Sequence, residues 1–229
     1  MPGLQRDARQ EAFGGVTVAL VSAIYGLYDH PKPLPAGHGF DDAVLVTDVP
    51  DAQVPGWRVL HRPSGLPPRL AAKRPKMLPW EYVDADASVW IDGSYGVDDW
   101  MFREAVEAHL AEDDLVVSRH WEDRDDVAAE AEFCWSWPAY KDQPLREQVA
   151  HYRAEGLPAP SGLYACGTVA RRHTPQQMVL GAAWLAECHA WSIQDQLSFP
   201  YVCWRAGVEP GTWRVPVSTW LTHHAHLGA

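Results

Sequence analysis

The sequence predicts an α/β fold in a single domain, with a mixed, mostly parallel central sheet flanked by helices. Residues 16–24 form a continuous apolar run rich in β-branched residues, which is typical of a central strand covered on both faces. Two further strand-like runs follow at intervals of about 25 and 15 residues, as expected where strands and helices alternate. The chain has 229 residues, 47% of them hydrophobic. It can therefore bury one sizeable core.

The composition excludes some partners and indicates a compartment. The formal net charge is −11 and the isoelectric point is about 5.4, which argues against broad contact with DNA phosphates or an anionic membrane surface, although a local basic groove stays open. The four cysteines lack Cys-x-x-Cys spacing, which favours reduced core thiols over a disulfide pair. The first 12 residues are polar, and no run reaches the roughly 18 apolar residues of a membrane helix. We therefore expect a cytoplasmic protein without a membrane span.

The first strand ends in a loop over residues 25–31, because a Gly and a Pro interrupt the apolar run there. The loop presents two tyrosines, Tyr25 among them, and the carboxylate of Asp29. Such a loop can stack a base. Residues 42–48 predict a second strand, and residues 57–60 predict a short third strand.

Residues 69–76 form the one concentrated basic patch of the sequence. Arg69, Lys73 and Lys76 recur at i, i+4 and i+7, so a helix would place all three on one face. Pro75 is expected to interrupt or kink that helix. In so acidic a chain we interpret the patch as a phosphate-binding group, and the alternative is a solvated charged face.

A strand over residues 88–91 delivers Asp92 onto a tight turn. Gly93 and Gly96 allow the backbone conformations that end the strand. Ligands of open α/β sheets collect at the carboxyl ends of the strands, where the fold is concave. An acidic group there, with the oxygen of Ser94 two residues on, suits a hard divalent cation that carries phosphates. The alternative is a surface turn that happens to contain Asp-Gly.

The second half of the chain continues the alternation of helices and strands. The pattern predicts helices over residues 100–110, 127–133 and 145–154, and strands over residues 115–118 and 161–172.

A long helix is predicted from Thr174, a capping residue followed by Pro and, three residues on, by Gln177, to about Leu197. At 100° per residue, Asp195 falls within the apolar stripe of this helix, about 20° from Trp184. A carboxylate on the core-facing side of a helix is costly unless it is paired or used in chemistry. Asp195 is therefore a candidate catalytic residue, and the alternative is a structural Asp that hydrogen-bonds a backbone amide.

The C-terminal tail carries three imidazoles in four residues, His223, His224 and His226. Neutral His is the commonest transition-metal ligand, so the cluster predicts a metal site. A purification tag and an exposed tail are the alternatives; the interruption by Ala225 counts against a tag.

Several stretches together resemble one family, in the same order and over nearly the whole chain. It is the glycosyltransferase-like domain found in plant Golgi proteins of mucilage and pollen-tube turgor control and in many bacterial proteins. The stretches that carry the resemblance are residues 22–26 with Tyr28 and Asp29, 47–50, 72–76, 90–94, 195–199 and the terminal His cluster.

The resemblance implies a GT-A (Rossmann-like) fold and a hexosyltransferase-like activity with a nucleotide-sugar donor, a UDP- or GDP-sugar. It also implies a divalent metal, usually Mn²⁺, with Mg²⁺ as the other choice. Asp92 and Ser94 stand where such enzymes carry an Asp-x-Asp pair, and this sequence departs by having Ser as the second member. His223, His224 or His226 would complete the coordination around the diphosphate.

The same resemblance assigns donor-binding roles to residues in the first half of the chain. Tyr25 and Asp29 would contact the nucleotide, and Lys73 and Lys76 would contact its phosphates. Residues 14–100 would thus form the nucleotide-binding half. Residues 101–229 would form the acceptor half with the metal-binding tail, and residues 1–14 a polar lead.

Asp195 would face the acceptor or the sugar, either as the base that deprotonates an acceptor hydroxyl or as a group that stabilises an oxocarbenium-like centre. The family often has Arg-Asp-Gln where residues 194–196 read Gln-Asp-Gln. An Arg contact to phosphate is then either missing from this chain or supplied by Arg171.

Two other classes of function share these residues. A metal-dependent hydrolase of nucleotide sugars or phosphoesters would use water as acceptor, and a catalytically inactive module would bind nucleotide sugar without turnover. The acceptor of a transferase stays open among glycan, lipid, protein, small molecule and modified DNA base.

Overall fold

The computed structural model describes residues 15–120 and 124–225. The predicted lead over residues 1–14 and the predicted metal ligand His226 lie outside these described residues. All four cysteines are described; they are buried and unbonded, as the sequence predicts.

A seven-stranded sheet forms the centre of the described part, in the order β3-β2-β1-β4-β7-β6-β8, beside a two-stranded ribbon of β5 and β9. β7 runs antiparallel to both of its neighbours, β4 and β6, and the other pairings in the sheet are parallel. The predicted α/β class with a mixed, mostly parallel sheet is therefore confirmed. The strands are β1 (Val18–Ile24), β2 (Asp42–Thr47), β3 (Arg58–His61), β4 (Ala87–Ile91), β5 (Tyr95–Val97), β6 (Leu115–Arg119), β7 (Tyr164–Arg172), β8 (Gly211–Thr212) and β9 (Leu221–His223).

Seven helices of the described residues surround this sheet. They are α1 (Pro68–Ala71), α2 (Lys73–Met77), α3 (Met101–Leu110), α4 (Val127–Trp135), α5 (Leu145–Ala154), α6 (Pro175–Ala190) and α7 (Asp195–Ala206). Short 3-10 turns lie at Pro79–Glu81, Pro138–Tyr140 and Val217–Thr219. No helix within 15–120 and 124–225 is both long and apolar enough to cross a membrane.

The buried run of β1 explains why the core has two layers. All seven residues of β1 are buried, and alternate side chains point to opposite faces of a strand. Ala19 and Val21 join a core layer that includes the buried residues of α2 and α4–α7, whereas Val18 and Leu20 join the layer on the other face with α3. The strand is therefore central and covered on both faces, as its sequence predicts.

The basic patch forms two short helices, α1 and α2, with Ala72 between them. Pro75 is the third residue of α2 and does not break it, because the first N–H groups of a helix have no partner within the helix. Lys76 does not lie on a solvated face: its side chain is 3% exposed.

The long helix predicted from Thr174 to about Leu197 is wrong in its last third. Thr174 caps the start as predicted, with its hydroxyl accepting from the Gln177 N–H at 3.3 Å, but α6 ends at Ala190 and a new helix begins at Asp195. The connection is held by distant side chains: the Gln143 amide oxygen accepts from the Ile193 N–H at 2.8 Å. Asp195 therefore lies in the first turn of α7 and not on the stripe of α6.

Candidate active site

A cleft of about 220 Å³ lies at the carboxyl ends of β1 and β4, beneath α1, α2 and the start of α7. The parallel pairing of β1 with β4 brings the loops that follow these two strands together at one edge of the sheet. Six of the residues predicted for a site line this cleft. They are Tyr25, Asp29, Lys73, Lys76, Asp92 and Asp195.

Asp195 is the centre of a buried charge cluster in the cleft. Its Oδ2 atom lies 2.6 Å from the Lys76 ammonium nitrogen and 2.8 Å from that of Lys73. Burial by itself would raise the pKa of Asp195, but the adjacent Lys73 and Lys76 outweigh burial and hold this pKa well below its usual range. Asp195 is therefore a carboxylate at neutral pH, with two cations on one oxygen.

Lys76 joins this cluster to the turn after β4. Its nitrogen lies 3.4 Å from Asp92 Oδ1, which also accepts from the Trp90 indole N–H at 2.6 Å. Burial would lower the pKa of Lys76, but the charges of Asp195 and Asp92 raise it above its ordinary value. Lys76 is thus a fully charged ammonium group that bridges two carboxylates.

Asp92 projects into the cleft because of its place on the strand. Trp90 and Asp92 are two residues apart and share one face. The Asp92 N–H donates to the Gly167 carbonyl at 2.9 Å, which extends the β4–β7 pairing by one residue. The Asp92 side chain is 42% exposed, so its carboxylate remains accessible to a ligand.

The turn at Asp92 packs closely against the loop after β1. A Cβ atom added at Gly93 would lie 2.7 Å from Ile24 Cγ1 and 3.5 Å from Asp29 Oδ2. Only glycine fits this approach without displacement of the neighbouring side chain. Asp29 and Tyr25 are both buried at the base of the loop, and burial raises the pKa of Tyr25 to about 12.

Tyr140 lines the cleft beside Arg69 of the predicted basic patch, and the sequence-based prediction of the site did not include Tyr140. Arg69 donates to the Tyr140 hydroxyl at 2.9 Å and lies over the rings of Tyr140 and Tyr28, at 4.7 and 5.9 Å from their centroids. The Tyr140 hydroxyl donates in turn to Gln194 Oε1 at 3.2 Å. The basic patch pointed to Arg69, but no signal in the sequence joined Tyr140, 71 residues further on, to the cleft.

Arg171 lies in the core and does not line the cleft. It is 1% exposed, donates to the Met77 carbonyl at 3.3 Å and lies 5.6 Å from the centroid of the Trp184 ring. Burial lowers its pKa to about 10. The phosphate contact expected of Arg171 finds no support in this position. Arg171 pairs with Ser88, three residues before the end of β4, and is therefore too far from the sheet edge.

The C-terminal tail does return to the turn after β4. β9 pairs with β5, and the His224 N–H donates to the Ser94 carbonyl at 2.8 Å. The predicted ligands nevertheless do not face one point: the Ser94 side chain is buried, and His223 packs edge-on against Tyr95, 5.2 Å between ring centroids, in a neighbouring cleft. Within the described ranges, no three His, Cys, Asp or Glu side chains are grouped to hold a metal ion.

Of the predicted metal ligands that the structure describes, the first cleft offers one carboxylate. Asp92 alone, among the described members of the predicted ligand set, lines the cleft. One accessible carboxylate suits a hard cation whose other ligands are donor phosphates and water, as is usual for Mg²⁺ at nucleotide sites.

The comparisons with known proteins cover most of the chain. A family model described as the TOD1/MUCI70 glycosyltransferase-like domain matches residues 46–216, which is most of the chain. No curated protein matches. Among solved structures, the chain is similar to one titled "WbbM bifunctional glycosyltransferase apo structure", at 13% sequence identity and a TM-score of 0.46. That similarity covers 89% of this chain and 39% of the WbbM chain.

Proposed function

Because this chain belongs to the TOD1/MUCI70 family of glycosyltransferase-like domains, we propose that it transfers a hexose from a UDP- or GDP-sugar to a hydroxyl acceptor. One observation carries the proposal. Two lysine ammonium groups and the carboxylate of Asp195 form a buried cluster in a cleft at the carboxyl ends of the strands. Such a cleft is where open α/β sheets bind nucleotides.

The nucleotide is proposed to lie along the loop after β1, with its base beside the tyrosines of that loop. Tyr28 is 37% exposed and lines the cleft with Tyr25 and Asp29. An aromatic face stacks on any base. The guanidinium of Arg69 lies over the Tyr28 ring. This contact restricts the movement of the ring on which the base would stack. The diphosphate would then extend towards Lys73 and Lys76.

The chemical task of the proposed enzyme is to accommodate charge on the leaving group. In the transfer step, a bond forms between the acceptor oxygen and the anomeric carbon. The bond from that carbon to the phosphate oxygen breaks, and its electron pair stays with the nucleoside diphosphate. The proton of the acceptor hydroxyl is released to solvent. Fixed ammonium groups beside the leaving oxygen stabilise the developing negative charge without reorganisation.

Asp195 fits this scheme as an electrostatic and positioning group better than as a general base. A carboxylate whose pKa is held well below its usual range is a weak proton acceptor at neutral pH. Its contacts with Lys73 and Lys76 fix both ammonium groups in the cleft. Of the two roles expected from the family, stabilisation of an oxocarbenium-like centre agrees better with a permanent negative charge.

The expected Mn²⁺ or Mg²⁺ remains part of the proposal. Asp92 is the described residue that would hold it, and the cation would supply further positive charge at the diphosphate when bound. Lys76 lies against the same carboxylate, so the cation and the ammonium group would share the charge of Asp92.

Calorimetric titration with UDP and GDP, followed by product analysis with the matching nucleotide sugars, tests the proposal. We expect one of the two nucleotides to bind, and Lys73→Met to weaken that binding by about tenfold or more, since a charge-assisted hydrogen bond to phosphate is lost. Lys141→Met, at an exposed lysine outside the cleft, is the control and should bind as the parent does. Failure of the parent to bind either nucleotide, or equal binding by Lys73→Met, would reject the proposal. Release of free sugar at a rate that no acceptor changes would favour the hydrolase.

A further inference from the structure

A second cleft, of about 490 Å³, lies next to the first one, and no part of the proposed donor site occupies it. Its walls come from β6, β7, the loop over residues 213–218 and the β5–β9 ribbon. The volume is within the range of small-molecule sites in proteins. His223, which was predicted as a metal ligand, lines this cleft.

The two clefts meet at Gly167. A Cβ atom added at Gly167 would lie 3.4 Å from Asp92 Oδ2, in the first cleft, and 3.4 Å from the Tyr95 hydroxyl, in the second. Because Gly167 has no side chain, the carboxylate of Asp92 in the first cleft and the phenol of Tyr95 in the second cleft border the same space. A ligand in the second cleft would have one end at the site of transfer.

The second cleft contains buried polar atoms that lack a partner in the described part of the protein. Thr168 is 2% exposed and Trp213 is 8% exposed, and both line the cleft. Neither the Thr168 hydroxyl nor the Trp213 indole N–H has a hydrogen-bond partner among the described residues. Buried polar atoms are rarely left unsatisfied, so Thr168 and Trp213 are the candidates in this wall for hydrogen bonds to a polar ligand.

The remaining lining defines the class of that ligand. The rings of Tyr95, Trp213 and His223 and the side chain of Leu221 supply apolar surface. Polar groups also line the cleft, the hydroxyls of Ser118 and Ser218 and the side chains of Arg119 and Arg214. A sugar ring has the matching surface: its C–H faces pack on aromatic rings and its hydroxyl groups hydrogen-bond around the rim. A lipid tail would leave the hydroxyl groups of the cleft unpaired.

We propose that the second cleft is the acceptor site and that the acceptor is a saccharide, with its reacting hydroxyl group at Gly167. This inference rests on the proposed function, because it supplies the hydroxyl group to which the sugar is transferred. It assigns Thr168 and Trp213 to recognition of the acceptor. It also assigns His223 to the wall of the acceptor site. In this position His223 is not a metal ligand.

The 3-10 turn Val217–Thr219 provides a matched pair of variants. Ser218 and Thr219 are adjacent and exposed, but only Ser218 lines the cleft. Ser218→Trp should fill the cleft, whereas Thr219→Trp adds the same side chain outside it. Thr168→Val removes one hydroxyl group at nearly constant volume and tests recognition without obstruction. Circular dichroism and the melting temperature establish that each variant is folded.

Saturation-transfer NMR with methyl β-D-glucopyranoside, methyl β-D-galactopyranoside and methyl α-D-mannopyranoside measures saccharide binding directly. We expect a signal from at least one glycoside with the parent and with Thr219→Trp, a loss of that signal with Ser218→Trp, and a weaker signal with Thr168→Val. Absence of signal with the parent for all three glycosides, or an equal signal with Ser218→Trp, would overturn the inference.

Calorimetry with UDP and GDP on the same preparations separates this inference from the proposed function. Nucleotide binding should be equal in the parent and in all three variants, because none of the substituted residues lines the first cleft. A parent that binds glycosides but no nucleotide would reject the proposed function and leave a saccharide-binding site. A parent that binds nucleotide but no glycoside would reject the acceptor site alone.

Discussion

The ammonium group of Lys76 lies 2.6 Å from the carboxylate of Asp195, and the two side chains are 3% and 6% exposed. A pair of opposite charges this deeply buried is costly to break, because removal of one partner leaves the other with less compensating charge in a medium of low polarity. Lys76 and Asp195 are therefore structural as well as candidate functional residues. Variants at these positions must be read for stability and for activity together.

Removal of Lys76 should destabilise the protein. Lys76→Ala leaves Asp195 with Lys73 as its one cation and opens space beside the core, so we expect a loss of about 3–5 kcal/mol in the free energy of unfolding. Lys141→Ala, at an exposed lysine, should change this free energy by less than about 0.5 kcal/mol. Urea denaturation measures both. Equal stability of the two variants would show that the Lys76–Asp195 pair contributes nothing.

Asp195→Asn should lower the stability of the protein. It leaves two ammonium groups without their shared carboxylate, which predicts a loss of roughly 3–5 kcal/mol in the free energy of unfolding. The double variant Asp195→Asn/Lys76→Met should be more stable than the sum of the single changes indicates, since their coupling is expected to exceed about 1 kcal/mol. A double-mutant cycle by urea denaturation gives the coupling, and simple additivity would contradict the buried cluster.

The pH dependence of stability should carry the signature of Asp195. Its pKa is lower in the folded protein than in the unfolded chain, so its contribution is fully present above the unfolded value of about 3.9. The contribution is lost as the pH falls below that value towards the folded pKa. The free energy of unfolding, measured between pH 7 and pH 2.5, should therefore fall less steeply on the acid side for Asp195→Asn than for the parent. Other carboxylates with lowered pKa, such as Asp126, contribute equally to both and cancel in the comparison.

A divalent cation and a nucleoside diphosphate should stabilise the protein jointly. Because Asp92 is the one predicted ligand that opens into the cleft among the described residues, the phosphates must complete the coordination shell. Mn²⁺ with UDP or GDP should raise the melting temperature more than the sum of either alone, and Asp92→Asn should abolish this joint effect. The same shift in the presence of EDTA would reject a cation that bridges Asp92 and the diphosphate.

Gly93→Ala should destabilise the turn that carries Asp92. The new Cβ atom would lie 2.7 Å from Ile24 Cγ1, and such overpacking costs about 1–3 kcal/mol. Gly65→Ala is the control, because nothing lies within 4 Å of its added Cβ atom. Thermal unfolding of the two variants provides the test. An unchanged melting temperature of Gly93→Ala would show that the Ile24 side chain of β1 moves aside without loss of stability.

The sequence by itself determined the α/β class, the central strand and the position of Asp92. These depend on local rules: a continuous apolar run of β-branched residues makes a buried strand, and a Gly-flanked acid after such a run lies at the edge of the sheet. The start of α6 at Thr174 is equally local, because a hydroxyl side chain and a Pro define the first turn of a helix. The spacing of the basic residues is a local feature as well. It identifies Lys73 and Lys76 as candidates but does not indicate that Lys76 is buried.

Only the tertiary structure decided how the candidates are arranged. The segment after α6 is held by a hydrogen bond that Gln143, on another segment, accepts from the Ile193 N–H, and sequence periodicity cannot register such a contact. As a result, the sequence placed Asp195 in an apolar stripe, whereas in the structure it begins a new helix and lies against two lysines that are more than 100 residues earlier in the chain. Arg171 is buried because the register of β7 against β4 sets its depth in the sheet. Ion pairs and strand registers are contacts between distant segments, and composition and periodicity describe only neighbours along the chain.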